Sequence, residues 1–327
     1  MDSRNYASAL QTRLAAEQPA ISGALDQAVD ALPASVQALA RHILHAGGKR
    51  LRPFLTVLFA RLWAYRKNDI YPLAAAMEML HAATLLHDDV LDESVTRRGT
   101  PAAHALFGIV PAVLAGDAIL SHANKIVAEY GDCRLIACLA EATLRTAAGE
   151  IQEIACQRRV DQPPDIYHEI ITGKTAWLIR ASCEMGALRA GADSRGLDLA
   201  TQYGLQLGMA FQLVDDALDF APPEKTGKPA CGDLREGKLT PPLRLYRDHL
   251  APSERAAFDA DFCSNSLDDA AVQTIGARIR ELGFDARGRQ LADAHLEQAR
   301  AALQGLPDVP EHSLLEDMLA YVRDRET

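Results

Sequence analysis

Aromatic residues make up only 6% of the chain, β-branched runs are scarce, and no apolar run is long enough to cross a bilayer. In a chain dominated by Ala and Leu, these shortages argue against a sheet-based core and for an all-helical one. An excess of positive charge is also missing. The formal net charge is −10, so no broad basic face is available for nucleic acid. The six cysteines, Cys133, Cys138, Cys156, Cys183, Cys231 and Cys263, form no CxxC pair and no zinc-finger spacing with histidine. They read as reduced thiols in a cytoplasmic protein. The stretch MDSRNYASALQTRLAAEQ places polar and acidic side chains where a secretion signal needs an apolar core. No Ser-His-Asp or Cys-His arrangement is evident.

What the sequence does have is acidic groups on apolar helices. Leu73–Arg98, LAAAMEMLHAATLLHDDVLDESVTRR, repeats Leu, Met, Ala and His every three or four residues without Gly or Pro, which predicts a long, largely buried helix. Its polar end puts Asp88 and Asp92 one turn apart, with Asp89 beside them and His81 two turns back. Like charges at that spacing repel, and a divalent cation with all-oxygen ligands, Mg²⁺, is the natural compensator. Phe211–Phe220, FQLVDDALDF, repeats the pattern with Asp215, Asp216 and Asp219. One such triplet is compatible with a solvated helix end; two on apolar helices are not easily explained that way.

Around these helices lie cationic segments. In Gly47–Pro53, GGKRLRP, a flexible Gly-Gly turn presents Lys49, Arg50 and Arg52 just before Pro53 opens a helix, a setting that suits a diphosphate. ITGKTA puts Lys174 and Thr175 after Gly173 in an apolar run, and a lysine there is costly unless it meets an anion. Pro222–Leu243 is rich in Gly and Pro and carries Lys225, Lys228, Arg235 and Lys238, the form expected of a lid over a polyanion. The remaining segments read as packing helices. Pro19 and Pro33 are read as helix starts. Asp117 takes a structural reading. In the helix predicted over Leu135–Val160, Glu141, Glu150 and Glu153 are expected to be exposed or paired with Arg145 and Arg158. Gly204 and Gly208, one turn apart, predict close helix packing.

In order, GGKRLRP, LLHDDVLDES with RRG, GKT, FQLVDDALD and GDLREGK closely resemble the motifs of trans-prenyltransferases, and the chain is most similar to the long-chain, octaprenyl-type polyprenyl diphosphate synthases. The resemblance implies one all-α domain over 1–327, a helical bundle around a deep central cavity, a homodimer, and three Mg²⁺ ions. It also implies condensation of isopentenyl diphosphate with an allylic diphosphate, and a transient membrane contact for product release. Asp88 and Asp92 would bind two ions and Asp215 with Asp219 the third, supported by Asp89 and Asp216. Lys49, Arg52, His81 and Arg98 would hold isopentenyl diphosphate. Arg97, Lys174, Thr175, Gln212, Lys228 and Lys238 would hold the allylic diphosphate. Where the family usually has glycine in the loop after GK, this chain has Cys231.

In proteins the chain resembles, the growing tail runs alongside this helix and bulky side chains five and four residues before the first Asp stop it. Here those positions are the small Ala83 and Thr84, with flexible Met77 below, so the resemblance implies an open channel and a product of about C40. A quinone side chain is the usual fate of such a product. Three alternatives share the acidic helices. A di-iron bundle needs Glu-x-x-His on two helices, and only Glu78–His81 supplies it. A terpene cyclase would not need a second diphosphate site. A non-catalytic partner subunit should show a damaged Asp motif, whereas both are intact. A synthase of farnesyl or geranylgeranyl length is the remaining alternative for the product.

Overall fold

The computed structural model describes residues 3–97, 99–222 and 230–325. Among them the only strands are a two-residue hairpin, and everything else of regular structure is helical. In chain order the first elements are α1 (Ser3–Asp30), α2 (Ala34–His45), α3 (Leu51–Leu62) and α4 (Ile70–Leu91). The hairpin β1 (Thr96–Arg97) and β2 (Thr100–Pro101) pairs Thr96 with Pro101 in antiparallel register. Then come α5 (Ala103–Phe107), α6 (Ile109–Ala128), α7 (Cys133–Cys156), α8 (Ile166–Ile171), a π-helical turn (Thr172–Ala176), α9 (Trp177–Ala190) and α10 (Ser194–Leu218). The rest is α11 (Gly232–Glu236), α12 (Pro241–His249), α13 (Pro252–Ser264), α14 (Asp269–Glu281), α15 (Phe284–Gln304) and α16 (Pro310–Asp324).

Two compact units emerge, each built from segments distant in sequence. The first comprises residues through Leu144, Leu178–Gly204 and Ala302–Asp317; the second comprises Arg145–Trp177, Leu205–Ala301 and the residues from Met318. In the first unit, α4 is the central element and packs on α1, α3 and α6. Leu73, Ala74, Ala75, Ala76, Met77, Met79 and Leu80 are all buried. Such all-round burial is what an apolar helix without a polar stripe must find. On α9, a Cβ at Gly186 would meet the Thr56 carbonyl oxygen at 2.2 Å, so α9 lies directly on the backbone of α3.

Two predicted boundaries differ. Pro19 does not start a helix but lies inside α1, where the buried stripe of Ile21, Leu25 and Val29 carries the helix past the lost hydrogen bond. Pro53 is the third residue of α3, still within the first turn, where its missing N–H has no helical partner to lose.

The second unit has its own core of Phe220, Leu234, Leu243, Tyr246, Phe258, Phe262 and Phe284. Within it, α7 and the π-helical turn cross closely. A Cβ at Gly149 would sit 2.4 Å from the Lys174 backbone nitrogen, and one at Gly173 would sit 2.9 Å from the Arg145 carbonyl oxygen. The predicted close packing at Gly204 and Gly208 is also found. Gly204 backs onto Arg180 and Cys183 of α9 within the first unit, and Gly208 backs onto Ala176 within the second.

Candidate active site

In the first unit, the site begins at the C-terminal end of α4. Asp92 is the C-cap, its N–H bonded to the Asp88 carbonyl at 2.8 Å, and Glu93 then turns left-handed at φ 50°. Asp88 and Asp92 are half-buried, whereas Asp89 is only 1% exposed. Arg97, on β1, donates its Nε–H to Asp89 Oδ1 at 2.5 Å. Asp89 Oδ2 is buried with no hydrogen-bond partner among the described residues. A buried carboxylate oxygen left unsatisfied is the form expected of a group that a cation completes.

His87, from the same helix, has its Nε2 3.2 Å from the Val113 carbonyl oxygen and 3.5 Å from Asp117. A Cβ at Gly116 would strike this ring at 2.4 Å, so the GD pair of α6 makes room for His87 and faces it. The structural reading of Asp117 thus gains a defined partner.

The GGKRLRP segment divides its cations by role. Gly47 and Gly48 have φ 86° and 141°, and Arg50 is left-handed at φ 46° as the N-cap of α3. Arg50 is tied down, donating to Ser22 Oγ and to the Leu44 carbonyl, both at 3.1 Å. It therefore anchors the turn to α1 and α2, while Lys49 is exposed and Arg52 half-buried. Along α4, His81 and Thr84 are half-buried, and Ala83 and Met77 are in the core. Arg98 lies outside the described residues.

In the second unit, the three carboxylates of the other motif each have a different partner. Asp215 is exposed and accepts a hydrogen bond from Arg325 Nη2 at 2.9 Å. Asp216 is buried; its Oδ1 accepts from Gln212 Nε2 at 2.7 Å and its Oδ2 from the Tyr167 hydroxyl at 2.5 Å. Gln212 in turn accepts from Thr175 Oγ1 at 2.7 Å, giving a continuous chain from the GKT turn to the acidic motif. Asp219 accepts the backbone N–H groups of Gly232 at 2.9 Å and Asp233 at 3.0 Å. Burial pushes Asp216 up to about 7 and Asp219 up to about 6, and the neighbouring carboxylates add to the shift. Burial, with Asp219 and Asp216 nearby, also drives Asp233 well above the usual carboxylate range.

Cys231 solves the problem posed by the missing glycine. It adopts the left-handed conformation itself, φ 64°, donates its N–H to the Asp219 carbonyl at 2.8 Å, and seats its Sγ against Gly276, which has no Cβ to obstruct it. Burial raises its thiol to about 11, so it stays protonated. Lys228 falls outside the described residues, as does the stretch 223–229 of the proposed lid.

The expectation for Glu150 and Glu153 is overturned. Of the two arginines, Arg145 lies over the Trp177 ring and Arg158 donates to the Arg235 carbonyl. Instead, Lys174 Nζ lies 2.7 Å from Glu150 and 2.5 Å from Glu153 Oε1, and Lys238 Nζ lies 3.2 Å from that same oxygen and 2.6 Å from Glu236. Two ammonium groups on one oxygen are within about 6 Å of each other, where their repulsion at an effective dielectric of about 20 is on the order of 3 kcal/mol. The carboxylates outweigh it. Burial pulls both lysines down, yet Glu153, with Glu150 or Glu236, leaves each above its ordinary value. Glu153 answers in kind: burial raises it, but the two lysines bring it below the usual range.

Sequence reasoning missed Tyr167, Arg325 and the bridging role of Glu153. Tyr167 carried a weak signal, lying one helical stretch before GKT; the other two carried none, because their partners are remote in sequence.

The family described as Polyprenyl synthetase matches residues 33–278. The octaprenyl diphosphate synthase of Escherichia coli (strain K12) is 36% identical over 89% of this chain and 90% of its own. Component 2 of the heptaprenyl diphosphate synthase of Geobacillus stearothermophilus is 34% identical over 97% of this chain and 98% of its own. A crystal structure of a polyprenyl synthase from Caulobacter crescentus CB15, complexed with calcium and isoprenyl diphosphate, superposes with TM-score 0.91 at 35% identity, covering 97% of this chain and 98% of that one. The chain belongs to the polyprenyl synthetase family, and it is a trans-prenyltransferase.

Proposed function

We propose that this protein is a Mg²⁺-dependent synthase, one domain over its length, that condenses isopentenyl diphosphate with farnesyl or a similar allylic diphosphate to give an all-trans polyprenyl diphosphate of about C40. The observation that carries the reading is the pair of lysines, Lys174 and Lys238, drawn together on the wall of the second acidic motif. Mg²⁺ keeps waters and takes one or two carboxylates together with substrate phosphates, which suits carboxylates spaced one turn apart on a helix. Asp88 and Asp92 would hold two ions and Asp215 with Asp219 the third, supported by Asp89 and Asp216; bound there, Mg²⁺ would neutralise charge developing on the departing diphosphate.

The chain's own groups do the rest. Lys174, Lys238, Lys228 and Arg97 would bind and hold the allylic diphosphate, and Lys49, Arg52, His81 and Arg98 the isopentenyl one. Thr175 and Gln212, already linked to each other, would hold the allylic diphosphate together with Lys174 and Lys238. The apolar length of α4 excludes water from the growing chain. The proton lost from the adduct goes to the released pyrophosphate. Small Ala83 and Thr84 beneath Asp88 leave room for elongation.

A homodimer is supported by an exposed apolar face on α5 and α6: Leu106, Phe107, Ile109, Val110 and Leu114. The name of the Geobacillus relative raises a second arrangement, pairing with a different subunit. Among the described residues no helix is long and apolar enough to cross a membrane. The enzyme is proposed to be cytoplasmic and to meet a membrane only to release product. Radiolabelled isopentenyl diphosphate, incubated with the purified protein, farnesyl diphosphate and Mg²⁺, should enter an extractable product. Incorporation that survives a chelator would refute the metal requirement, and none at all would refute the activity.

A further inference from the structure

We infer that Glu153 is a positioning residue for the diphosphate-binding lysines: its carboxylate pins Lys174 and Lys238 to one oxygen and holds both ammonium groups convergent before substrate arrives. The inference rests on the proposed role of those lysines. Glu153 sits on α7, one turn beyond Gly149, and the absence of a Cβ at Gly149 and Gly173 lets α7 approach the π-helical turn closely enough for Glu150 and Glu153 to reach Lys174. From the other side, Lys238 follows α11 and reaches the same Oε1. Both lysines and both α7 carboxylates are largely buried, with side-chain exposures of 22% and 15% for Lys174 and Lys238, and 12% and 16% for Glu150 and Glu153. The arrangement is therefore fixed by packing rather than by solvent-exposed side chains meeting in passing.

Donor arithmetic explains what the arrangement leaves available. An ammonium group has three N–H donors. Among the described residues, Lys174 faces two carboxylates, Glu150 and Glu153, and Lys238 faces two, Glu153 and Glu236. Each keeps a third donor, and with the nitrogens held on one oxygen those donors are spaced to meet neighbouring phosphate oxygens. Remove the shared charge and two close ammonium groups must separate, or one must lose its proton. Lys174 has the advantage of Glu150 on its own side; Lys238 has Glu236. Of the other titratable groups near the cluster, Asp233 acts on Lys238, and Asp216, Tyr167 and Cys156 feel the charge of Glu153. Among the described residues none of these four is paired with both lysines, so none can replace the bridge.

The test compares Glu153→Gln, which keeps the shape and removes the charge, with Glu153→Asp, which restores the charge on a shorter arm. For Glu153→Gln the KM for the allylic diphosphate should rise about tenfold, while the KM for isopentenyl diphosphate stays within about twofold. Calorimetric titration with inorganic pyrophosphate at about pH 8, which needs no turnover, should show binding about tenfold weaker in Glu153→Gln than in wild type, because the ammonium groups no longer converge. Glu153→Asp should recover most of that loss. The inference is overturned if pyrophosphate affinity is unchanged in Glu153→Gln, or if both KM values rise together. Should the wild-type protein fail to transfer prenyl groups, the proposed function falls, and the pyrophosphate titration still decides the role of Glu153.

Discussion

Arg325 is stacked on the acidic motif it serves: its guanidinium carbon lies 3.9 Å from the Phe211 ring centroid, and its Nη2 donates to Asp215 at 2.9 Å and to the Phe211 carbonyl at 3.0 Å. The arginine side chain is 5% exposed, but the Asp215 side chain is 57% exposed, so the ion pair itself is worth no more than about 1 kcal/mol. The stack over Phe211 adds about as much again. Arg325→Ala should therefore lower stability by about 1–2 kcal/mol in urea titrations. Because a cation that occupies Asp215 competes with Mg²⁺ there, the same variant should reach half-maximal activity at a lower Mg²⁺ concentration. An unchanged Mg²⁺ requirement would mean that Asp215 is not a metal ligand.

The buried carboxyls give a pH dependence of definite sign. Asp216 and Asp219 are raised to about 7 and about 6, chiefly by burial. In the unfolded chain they titrate near 4. Between about pH 4 and 7 the native protein therefore binds more protons than the unfolded one, and their contribution makes stability fall as pH rises through that window. Asp216→Asn, which cannot ionise, should gain stability relative to wild type on going from pH 5 to pH 8 without metal. Thermal melts at the two pH values check this, and an equal gap at both would contradict the burial argument.

Gly149 should be irreplaceable. In Gly149→Ala the new methyl would fall 2.4 Å from the Lys174 backbone nitrogen and 2.8 Å from the Gly173 carbonyl carbon, and these are backbone atoms that cannot swing aside. Overpacking of this kind destabilises by roughly 1–3 kcal/mol. It should also push Lys174 away from Glu153, so kcat/KM for the allylic substrate should drop more than the urea midpoint alone explains. A variant with normal kcat/KM would show that the α7 crossing does not set the lysine.

The acidic motifs, the helical class and the cationic turns were legible because their signal is local: Asp88 and Asp92, or Asp215 and Asp219, announce one helical face by spacing alone. The anchoring role of Arg50 in GGKRLRP was not, because its left-handed turn and its bonds to Ser22 and Leu44 are contacts that the local sequence does not announce. Glu153 was misread for a related reason. On its own helix it resembles a solvated charge with arginines nearby, and its true partners, Lys174 and Lys238, arrive from later segments. Cys231 shows the reverse case, a departure from pattern that the fold absorbs because Gly276 leaves space for a thiol.

Chain length should respond to the residues beneath Asp88. Thr84 is half-buried and its hydroxyl bonds the His81 carbonyl at 2.8 Å, so it is held on the helix surface rather than projected as a stop. Thr84→Phe should shorten the main product by several isoprene units while the first condensation proceeds. Ala83 is 1% exposed, and Ala83→Phe should shorten the product as well, with a stability loss of roughly 1–3 kcal/mol from overpacking. Products of wild-type length from both variants would place the growing chain elsewhere.

The most direct test is mass spectrometry of what the wild-type protein makes from farnesyl diphosphate, excess isopentenyl diphosphate and Mg²⁺, alongside Asp88→Ala. A main product of about C40 from wild type, with Asp88→Ala reduced by about 10²-fold or more, is the predicted result. C15 or C20 as the main species, or near-normal turnover in Asp88→Ala at saturating Mg²⁺, would contradict it.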